Sequence, residues 1–271
     1  MSSTSTTSEQ LPVITLYRGW LESGRHVWSP FVTRLEARLR FGGVNYVPAV
    51  GSPPKAPRRK IPYIEYRNAA TNQISSLSDS TLIAQKLTED GLLPNLNANL
   101  SPSDKALDLG IRAMLEDRLY FFHVKERWID NYYTMRDHAL WDVPYPVRVI
   151  VGILIARNQT TVLYGQGTGR FTNEELTQFK TEIWTTISDL LQTSRAKASS
   201  RGLNDGEPFW VLGGDGPTEA DTTVFGFVVS VLVSTAGPES QKIVKGFPVL
   251  LDYAGRVHDK YFPDYEKWET A

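Results

Sequence analysis

Asp79 and Ser80 stand between a short extended segment and an apolar-periodic helix, a position from which both can bind a charged ligand. The sequence Leu77-Ser78-Asp79-Ser80-Thr81-Leu82 places them at a predicted helix N-terminus. Hydroxyls, backbone N–H groups and the positive end of the helix dipole can receive a carboxylate there. The Asp79 carboxylate can meet an ammonium beside it. An ordinary N-cap pair is the alternative.

A proline opens the first of two short predicted strands before this pair. Lys60-Ile61-Pro62 ends a loop, and residues 63–66 and 73–77 then read as strands. Proline after an extended residue is a place where a cis bond turns the chain, so we predict a cis Ile61–Pro62 bond; a plain turn proline is the alternative. The N–H and C=O of Ile61 would then be free to pair with an extended, peptide-like ligand. Such an edge beside carboxylate and ammonium receptors suits glutathione.

These two blocks resemble the glutathione-binding half of a glutathione transferase. Three further stretches narrow the resemblance to the failed-axon-connections and metaxin-like branch of that superfamily, and the match covers nearly everything after residue 12. They are Ser29-Pro30-Phe31 with Leu35-Glu36, the glycine-rich residues 164–170, and Pro217-Thr218-Glu219-Ala220-Asp221 with Phe225-Gly226-Phe227. The resemblance implies glutathione as cofactor and, as its binding residues, Lys60, Ile61, Pro62, Asp79 and Ser80. Lys60 is either a partner for the glycine carboxylate or a solvated loop charge.

Ser29 and Tyr17 are the two candidate catalytic hydroxyls. Related proteins begin the helix after the first strand with Cys-Pro-Phe, and this chain reads Ser29-Pro30-Phe31. A serine hydroxyl there can donate a hydrogen bond to the glutathione sulfur and favour the thiolate, but it cannot form a mixed disulfide. The alternative is a plain N-cap. Tyr17, near the end of the first strand, is as easily a core residue.

Three residues of a long predicted helix are candidates for substrate binding. The resemblance implies that Tyr120, His123 and Arg127 line a substrate pocket, although aromatic residues at helical spacing are more often core. Residues 165–170 superficially resemble a phosphate loop. They lack a preceding strand and a Lys-Ser/Thr ending, so we expect no nucleotide there.

Composition excludes several classes of function. The 29 Lys and Arg residues against 30 Asp and Glu give a net charge of −1, which offers no reason to expect nucleic acid or an anionic membrane as partner. The absence of cysteine excludes disulfides, thiolate zinc sites and thiol-exchange chemistry, and fits a cytoplasmic protein. The histidines lack metal-type spacing, so we expect no metal. They are His26, His123, His138 and His258.

The pattern of the chain predicts two domains of different fold class. Residues 1–10 are Ser/Thr-rich without a basic or apolar run, so they read as a disordered tail and not as a targeting segment. Residues 11–96 follow the βαβ-ββα order of a thioredoxin-like domain, and residues 97–271 read as all helical. The apolar run Val147–Ala156 is half of the roughly 20 residues that a spanning helix needs, so no membrane anchor is expected.

Predicted caps and helix-breaking residues divide residues 97–271 into separate helices. We predict a long helix from Ser103, a short helix over Val147–Asn158 and a glycine loop over Gly165–Arg170. Further helices are expected after the capping boxes at Thr172 and Thr218 and from Phe247, and Arg195–Glu207 reads as an exposed insertion.

The function implied by the resemblance is glutathione-dependent. The leading hypothesis is a transferase that adds the glutathione thiolate to a hydrophobic, activated-alkene small molecule. If the thiol leaves after the former double bond rotates, the enzyme is a cis–trans isomerase of the kind found in natural-product pathways. The hypothesis from another class is a non-catalytic interaction module with the same fold. Many relatives dimerise, so a homodimer is a further expectation.

Overall fold

The computed structural model describes residues 14–20, 23–67 and 73–269, which form two compact units. The first unit holds the described residues up to Ser23 together with Arg38–Pro94. The second holds Gly24–Ala37 and the described residues from Asn95 onward. The predicted tail at residues 1–10 lies outside the described residues.

The first unit is built on a mixed sheet of four strands in the order β2-β1-β3-β4. β2 runs parallel to β1, and β3 runs antiparallel to both β1 and β4. The strands are β1 (Ile14–Tyr17), β2 (Tyr46–Ala49), β3 (Tyr63–Arg67) and β4 (Ile74–Ser78). Helix α1 (Pro30–Phe41) follows β1 in the chain, and α2 (Ser80–Glu89) follows β4. This order confirms the predicted thioredoxin-like fold.

One face of the sheet is apolar because strand side chains alternate between faces. Ile14 and Leu16 of β1 and Ile64 of β3 are fully buried. Ile83 and Leu87 of α2 are equally buried in this unit and continue its core. The opposite face carries polar side chains, which is why the candidate hydroxyl of Tyr17 lies outside this core.

The second unit is helical, as predicted. Its long helical stretch contains two wider π turns, at Met114–Leu119 and Glu126–Asp130. The helices are α3 (Pro102–Ala113), α4 (Tyr120–Lys125), α5 (Tyr132–Ala139), α6 (Tyr145–Gln166), α7 (Asn173–Ser200), α8 (Glu219–Val233), α9 (Pro238–Lys245) and α10 (Pro248–Tyr261).

Three predictions for this unit were wrong. The helix expected over Val147–Asn158 is α6, which continues through Gly165 and ends where Gly167 adopts a φ of 111°. The glycine stretch is therefore a helix end followed by a short 3-10 turn. Residues 195–200, expected to belong to an exposed insertion, form the last turns of α7, where Ala198 is buried. Helix α9 was not predicted.

The irregular hydropathy of α6 explains the first of these errors. Only Gly152 and Leu163 of α6 are buried, whereas Val147, Ile150 and Leu154 are at least half exposed. A helix with apolar residues on its solvent side has no clear 3.6-residue period to read. Its length therefore could not be judged from the pattern.

No single helix in the described ranges is long and apolar enough to cross a membrane. α8 and α9 together reach the required length and composition, but the chain bends by 119° between them. α8 is buried from Ala220 to Leu232 and forms the centre of the second unit.

The start of α8 is fixed by a fully buried carboxylate. Asp221 accepts hydrogen bonds from the backbone N–H of Val211 (2.8 Å), from the N–H and hydroxyl of Thr218 (both 2.8 Å) and from the hydroxyl of Tyr253 (3.0 Å). Burial raises the pKa of Asp221 to about 6, although these donors favour its charged form. The predicted capping box at Thr218 is thus confirmed, and so is its exposed counterpart at Thr172.

The two capping boxes allow a direct comparison of their contributions to stability. We expect Asp221→Ala to lower the free energy of unfolding by about 3 kcal/mol, because it leaves several buried donors without an acceptor. Thr172→Ala removes an exposed cap and should cost about 1 kcal/mol. Urea denaturation of both variants measures the difference. Equal losses would contradict the central role of Asp221.

Candidate functional site

The register of the sheet brings the predicted binding residues of the first unit to one edge. Tyr63, the first residue of β3, pairs with Ser78, the last residue of β4. Pro62 and Asp79 therefore lie next to each other just beyond this pair. The Ile61–Pro62 bond is cis, as predicted. Pro62 is buried, whereas Lys60 is exposed.

Ile61 leaves its backbone polar groups available at this edge. Within the part of the chain that the structure describes, neither its N–H nor its C=O makes a hydrogen bond. Its side chain lies against Gly19, where an added Cβ would be 3.5 Å from it and the φ is 87°. Buried backbone groups are nearly always paired, so a half-buried residue with two unpaired groups is a candidate for ligand contact.

Asp79 is both the N-cap of α2 and a residue with an unusual backbone. Its Oδ1 accepts from the N–H groups of Thr81 (3.0 Å) and Leu82 (3.2 Å). Its Oδ2 accepts no hydrogen bond within the described residues, and the side chain is exposed. The φ of 80° is costly for a residue with a Cβ, and such strain occurs preferentially at functional sites. Ser80, the next residue, is buried.

The Tyr17 hydroxyl is engaged away from this edge. It donates a 2.9 Å hydrogen bond to Oε2 of Glu65, and its ring stacks on Tyr63 with centroids 4.2 Å apart. Glu65 is two residues further from the edge along β3 than Tyr63. Burial, followed by the hydrogen bond to Glu65, raises the pKa of Tyr17. Tyr17 is therefore a neutral phenol whose O–H already donates a hydrogen bond to a carboxylate.

Ser29 immediately precedes α1 in the second unit and is half-buried. Its Oγ accepts a long hydrogen bond, 3.4 Å, from the N–H of Val32. The hydroxyl hydrogen has no acceptor among the described residues. Because a hydroxyl can accept and donate at once, Ser29 can cap α1 and still donate to a ligand. The two interpretations of Ser29 are therefore compatible.

Two of the three candidates of the long helix, Tyr120 and Arg127, contact the segment around Ser29, whereas His123 contacts α8. Tyr120 packs edge-to-face against Phe31 with centroids 4.9 Å apart. Buried His123 lies 6.2 Å from the ring of Phe227, and neither of its ring nitrogens has a hydrogen-bond partner within the described residues. Arg127 is buried, and its guanidinium donates to backbone oxygens. Their role in substrate binding stays a prediction.

Burial is the largest cause of the shifted pKa values of His123 and His138. Burial, followed by the charge of Arg127, lowers the pKa of His123 well below its ordinary value. The same causes lower the pKa of His138 to about 4. Both rings are neutral at pH 7.

Sequence reasoning missed the partners of Arg127. Arg127 contacts the backbone of Trp28 and of Ser230, and the indole of Trp28 stacks on His138 with centroids 3.5 Å apart. The tryptophan directly before the Ser-Pro-Phe stretch was the only sequence signal that this segment is held in place. The local sequence pattern does not predict which distant residues contact it.

Comparison with known proteins agrees with this arrangement. Residues 30–135 match the family described as glutathione S-transferase N-terminal domain. Glutathione transferase GSTFuA2 from Phanerochaete chrysosporium aligns with 96% of this chain and 100% of its own at 16% identity, with a TM-score of 0.56. GSTFuA3 from the same organism aligns with 97% of this chain and 100% of its own at 16% identity, with a TM-score of 0.51. The chain has the glutathione transferase fold.

The family match covers several of the candidate residues but neither candidate hydroxyl, Ser29 or Tyr17. It begins one residue after Ser29 and ends within α5, so it includes the edge at Pro62 and Asp79 as well as Arg127. The two fungal transferases extend the likeness of fold to the helices beyond.

The neutral ring of His138 predicts a pH-dependent stability. A histidine whose folded pKa is about 4 contributes stability above its unfolded value of about 6.5 and loses it as the pH falls towards 4. The free energy of unfolding of the wild type should therefore fall relative to that of His138→Phe between pH 7 and pH 4.5. Its slope should be at most about 1.4 kcal/mol per pH unit, lowered by solvent because the ring is only half-buried. Urea denaturation across this range provides the test, and a constant difference would contradict it.

Proposed function

We propose that this protein is a glutathione-dependent enzyme that adds the glutathione thiolate to a hydrophobic small molecule with an activated double bond. The observation that carries the proposal is the edge of the first unit. There Ile61 stands next to Asp79 and the N-terminus of α2. Among the described residues, neither the N–H and C=O of Ile61 nor Oδ2 of Asp79 makes a hydrogen bond. These groups match the peptide backbone, the ammonium and a carboxylate of glutathione.

Each group takes a different part of the tripeptide. Ile61 pairs with the cysteinyl backbone, and Asp79 receives the γ-glutamyl ammonium. Ser80, at the N-terminus of α2, receives the adjacent carboxylate, and Lys60 takes the glycine carboxylate. The family match of residues 30–135 supports this division, because the matching region includes all five residues.

We assign activation of the thiol to Ser29 and not to Tyr17. The Ser29 hydroxyl has a hydrogen to donate, whereas the Tyr17 hydroxyl donates its hydrogen to Glu65. A hydrogen bond from Ser29 to the sulfur stabilises the thiolate relative to the thiol. The thiolate then forms a carbon–sulfur bond with the alkene, the π electrons move to the activating group, and a proton is taken up to complete the adduct.

The aromatic residues beside Ser29 support a hydrophobic substrate. The half-buried rings of Phe31 and Tyr120 lie 4.9 Å apart at the first turn of α1 and provide apolar surface there, and Phe31 packs at 6.1 Å against the fully buried ring of Phe227. Apolar surface next to a thiolate lowers the cost of binding an apolar electrophile. The metaxin-like branch, cytoplasmic location and a homodimer stay predictions.

The charge of Asp79 provides the sharpest test of glutathione binding. Asp79→Asn keeps an amide oxygen to accept from Thr81 and Leu82, but removes the negative charge that meets the ammonium. We expect glutathione to bind about tenfold more weakly, at unchanged thermal stability. Calorimetric titration of wild type and variant measures this, and Ser101→Ala, which removes the exposed N-cap of α3, is the control.

Two results of this titration would count against the proposal. Equal affinity of wild type and Asp79→Asn would remove Asp79 from the site. No binding by the wild type at millimolar glutathione would favour the non-catalytic interaction module.

Replacement of Ser29 tests the activation step. Loss of a hydrogen bond to a charged group costs about 1.5–3 kcal/mol, so Ser29→Ala should raise the pKa of the bound thiol by about one to two units. The ultraviolet absorbance of the thiolate during a pH titration reports this pKa. Tyr17→Phe is the matched control and should leave it unchanged. The reverse result would assign the thiol to Tyr17.

A further inference from the structure

The carbonyl of Trp28, one residue before Ser29, is held from two sides by buried donors. Arg127 Nη1 donates to it at 2.7 Å, and the Ser230 hydroxyl donates to it at 2.5 Å. Arg127 Nη2 also donates to the carbonyl and the hydroxyl oxygen of Ser230, at 3.0 and 3.1 Å. The three residues thus form a closed ring of hydrogen bonds within the second unit.

Burial of the Arg127 guanidinium against the Trp28 carbonyl costs free energy. It is buried, and no carboxylate within the described residues accepts a hydrogen bond from it. The adjacent Glu126 is bound to Lys180 at 2.8 Å and to Ser240. A buried guanidinium held only by neutral oxygens destabilises a fold more than an apolar side chain would. Its place against Trp28 therefore calls for a role other than stability.

The helical backbone is locally widened at Arg127. Arg127 lies in the π turn Glu126–Asp130, and such wider turns are frequent at functional sites. Glu126 and Arg127 are consecutive in the chain and both are buried. Glu126 contacts Lys180 of α7, whereas Arg127 contacts the segment before α1.

α8 approaches the same segment with one face. Gly226 and Ser230 are four residues apart and so lie on one side of α8. A Cβ added at Gly226 would lie 2.6 Å from the carbonyl oxygen of Pro30 and 2.9 Å from the N–H nitrogen of Arg34. The backbone of α8 therefore touches the first turn of α1, and any side chain at position 226 would displace it.

We infer that Arg127, Ser230 and Gly226 are positioning residues that fix the Ser29 hydroxyl at the distance and angle needed to bond the glutathione sulfur. The inference rests on the proposed function. These residues act through the Trp28 carbonyl and the first turn of α1, and none of them contacts the thiol. The stack of Trp28 on His138 holds the side chain of the same residue. The Ser29 hydroxyl, whose oxygen accepts from the N–H of Val32, keeps its own hydrogen to donate.

The first test is hydrogen exchange, which needs no ligand. Ser230→Ala removes one of the two donors to the Trp28 carbonyl, and we expect the hydrogen-bonded amides of Val32 and Thr33 to exchange about tenfold faster. Ser194→Ala is the matched control, because the equally buried Ser194 hydroxyl donates to the carbonyl of Val211 at 2.7 Å. It should leave these amides unchanged. Equal exchange in both variants would overturn the inference.

The second test measures the bound thiol. In Ser230→Ala, we expect a raised thiol pKa, about a tenfold loss in kcat and a glutathione Kd within about twofold of wild type. A purely structural role would instead lower stability with the thiol pKa unchanged, and that result would overturn the inference. Absence of glutathione binding by the wild type would instead contradict the proposed function, whereas failure of the positioning role alone leaves glutathione bound with an unchanged thiol pKa, so the two failures are distinguishable.

Replacement of Gly226 is an independent test that alters no hydrogen-bonding group. Gly226→Ala should displace the first turn of α1 and raise the thiol pKa. Gly110→Ala is the control, because an added Cβ on this glycine of α3 meets no atom within 4 Å. An unchanged thiol pKa in a folded Gly226→Ala protein would contradict the positioning role.

Discussion

The position of Ser29 depends on the carbonyl of a single residue, Trp28. Two donors hold this oxygen, the guanidinium of Arg127 from a π turn and the hydroxyl of Ser230 from α8. Both donors are buried, so neither exchanges its bond for water. A helix that begins immediately after a fixed carbonyl has a fixed first turn. The Ser29 hydroxyl stands at the start of that turn, where its oxygen accepts from the N–H of Val32.

The first unit reaches its binding edge by a different route, through strand register. Pairing of Tyr63 with Ser78 sets Pro62 beside Asp79, and the cap at Asp79 fixes the start of α2. Backbone groups, a carboxylate and a helix N-terminus then meet within a few residues of each other. Such a set of receptors suits the ends and the backbone of a peptide, as glutathione binding at this edge requires.

Local patterns predicted this fold and edge, whereas long-range contacts could not be predicted. The strands, the Ile61–Pro62 bond and the caps at Thr172 and Thr218 depend on residues close in sequence, and each was confirmed. The bonds to Trp28 join residues 99 and 202 positions apart, and no short pattern encodes such pairs. α6 was read too short because its apolar residues also face solvent. The last turns of α7 are polar, so residues 195–200 were predicted to belong to an exposed loop.

A crystal structure of the complex with reduced glutathione would show which hydroxyl contacts the sulfur. We expect the sulfur within about 3.5 Å of the Ser29 hydroxyl oxygen, with the tripeptide backbone paired to Ile61 and the ammonium at Asp79. The Tyr17 hydroxyl should remain bound to Glu65 in that complex. A sulfur bound to Tyr17, or glutathione bound away from Ile61 and Asp79, would contradict the account.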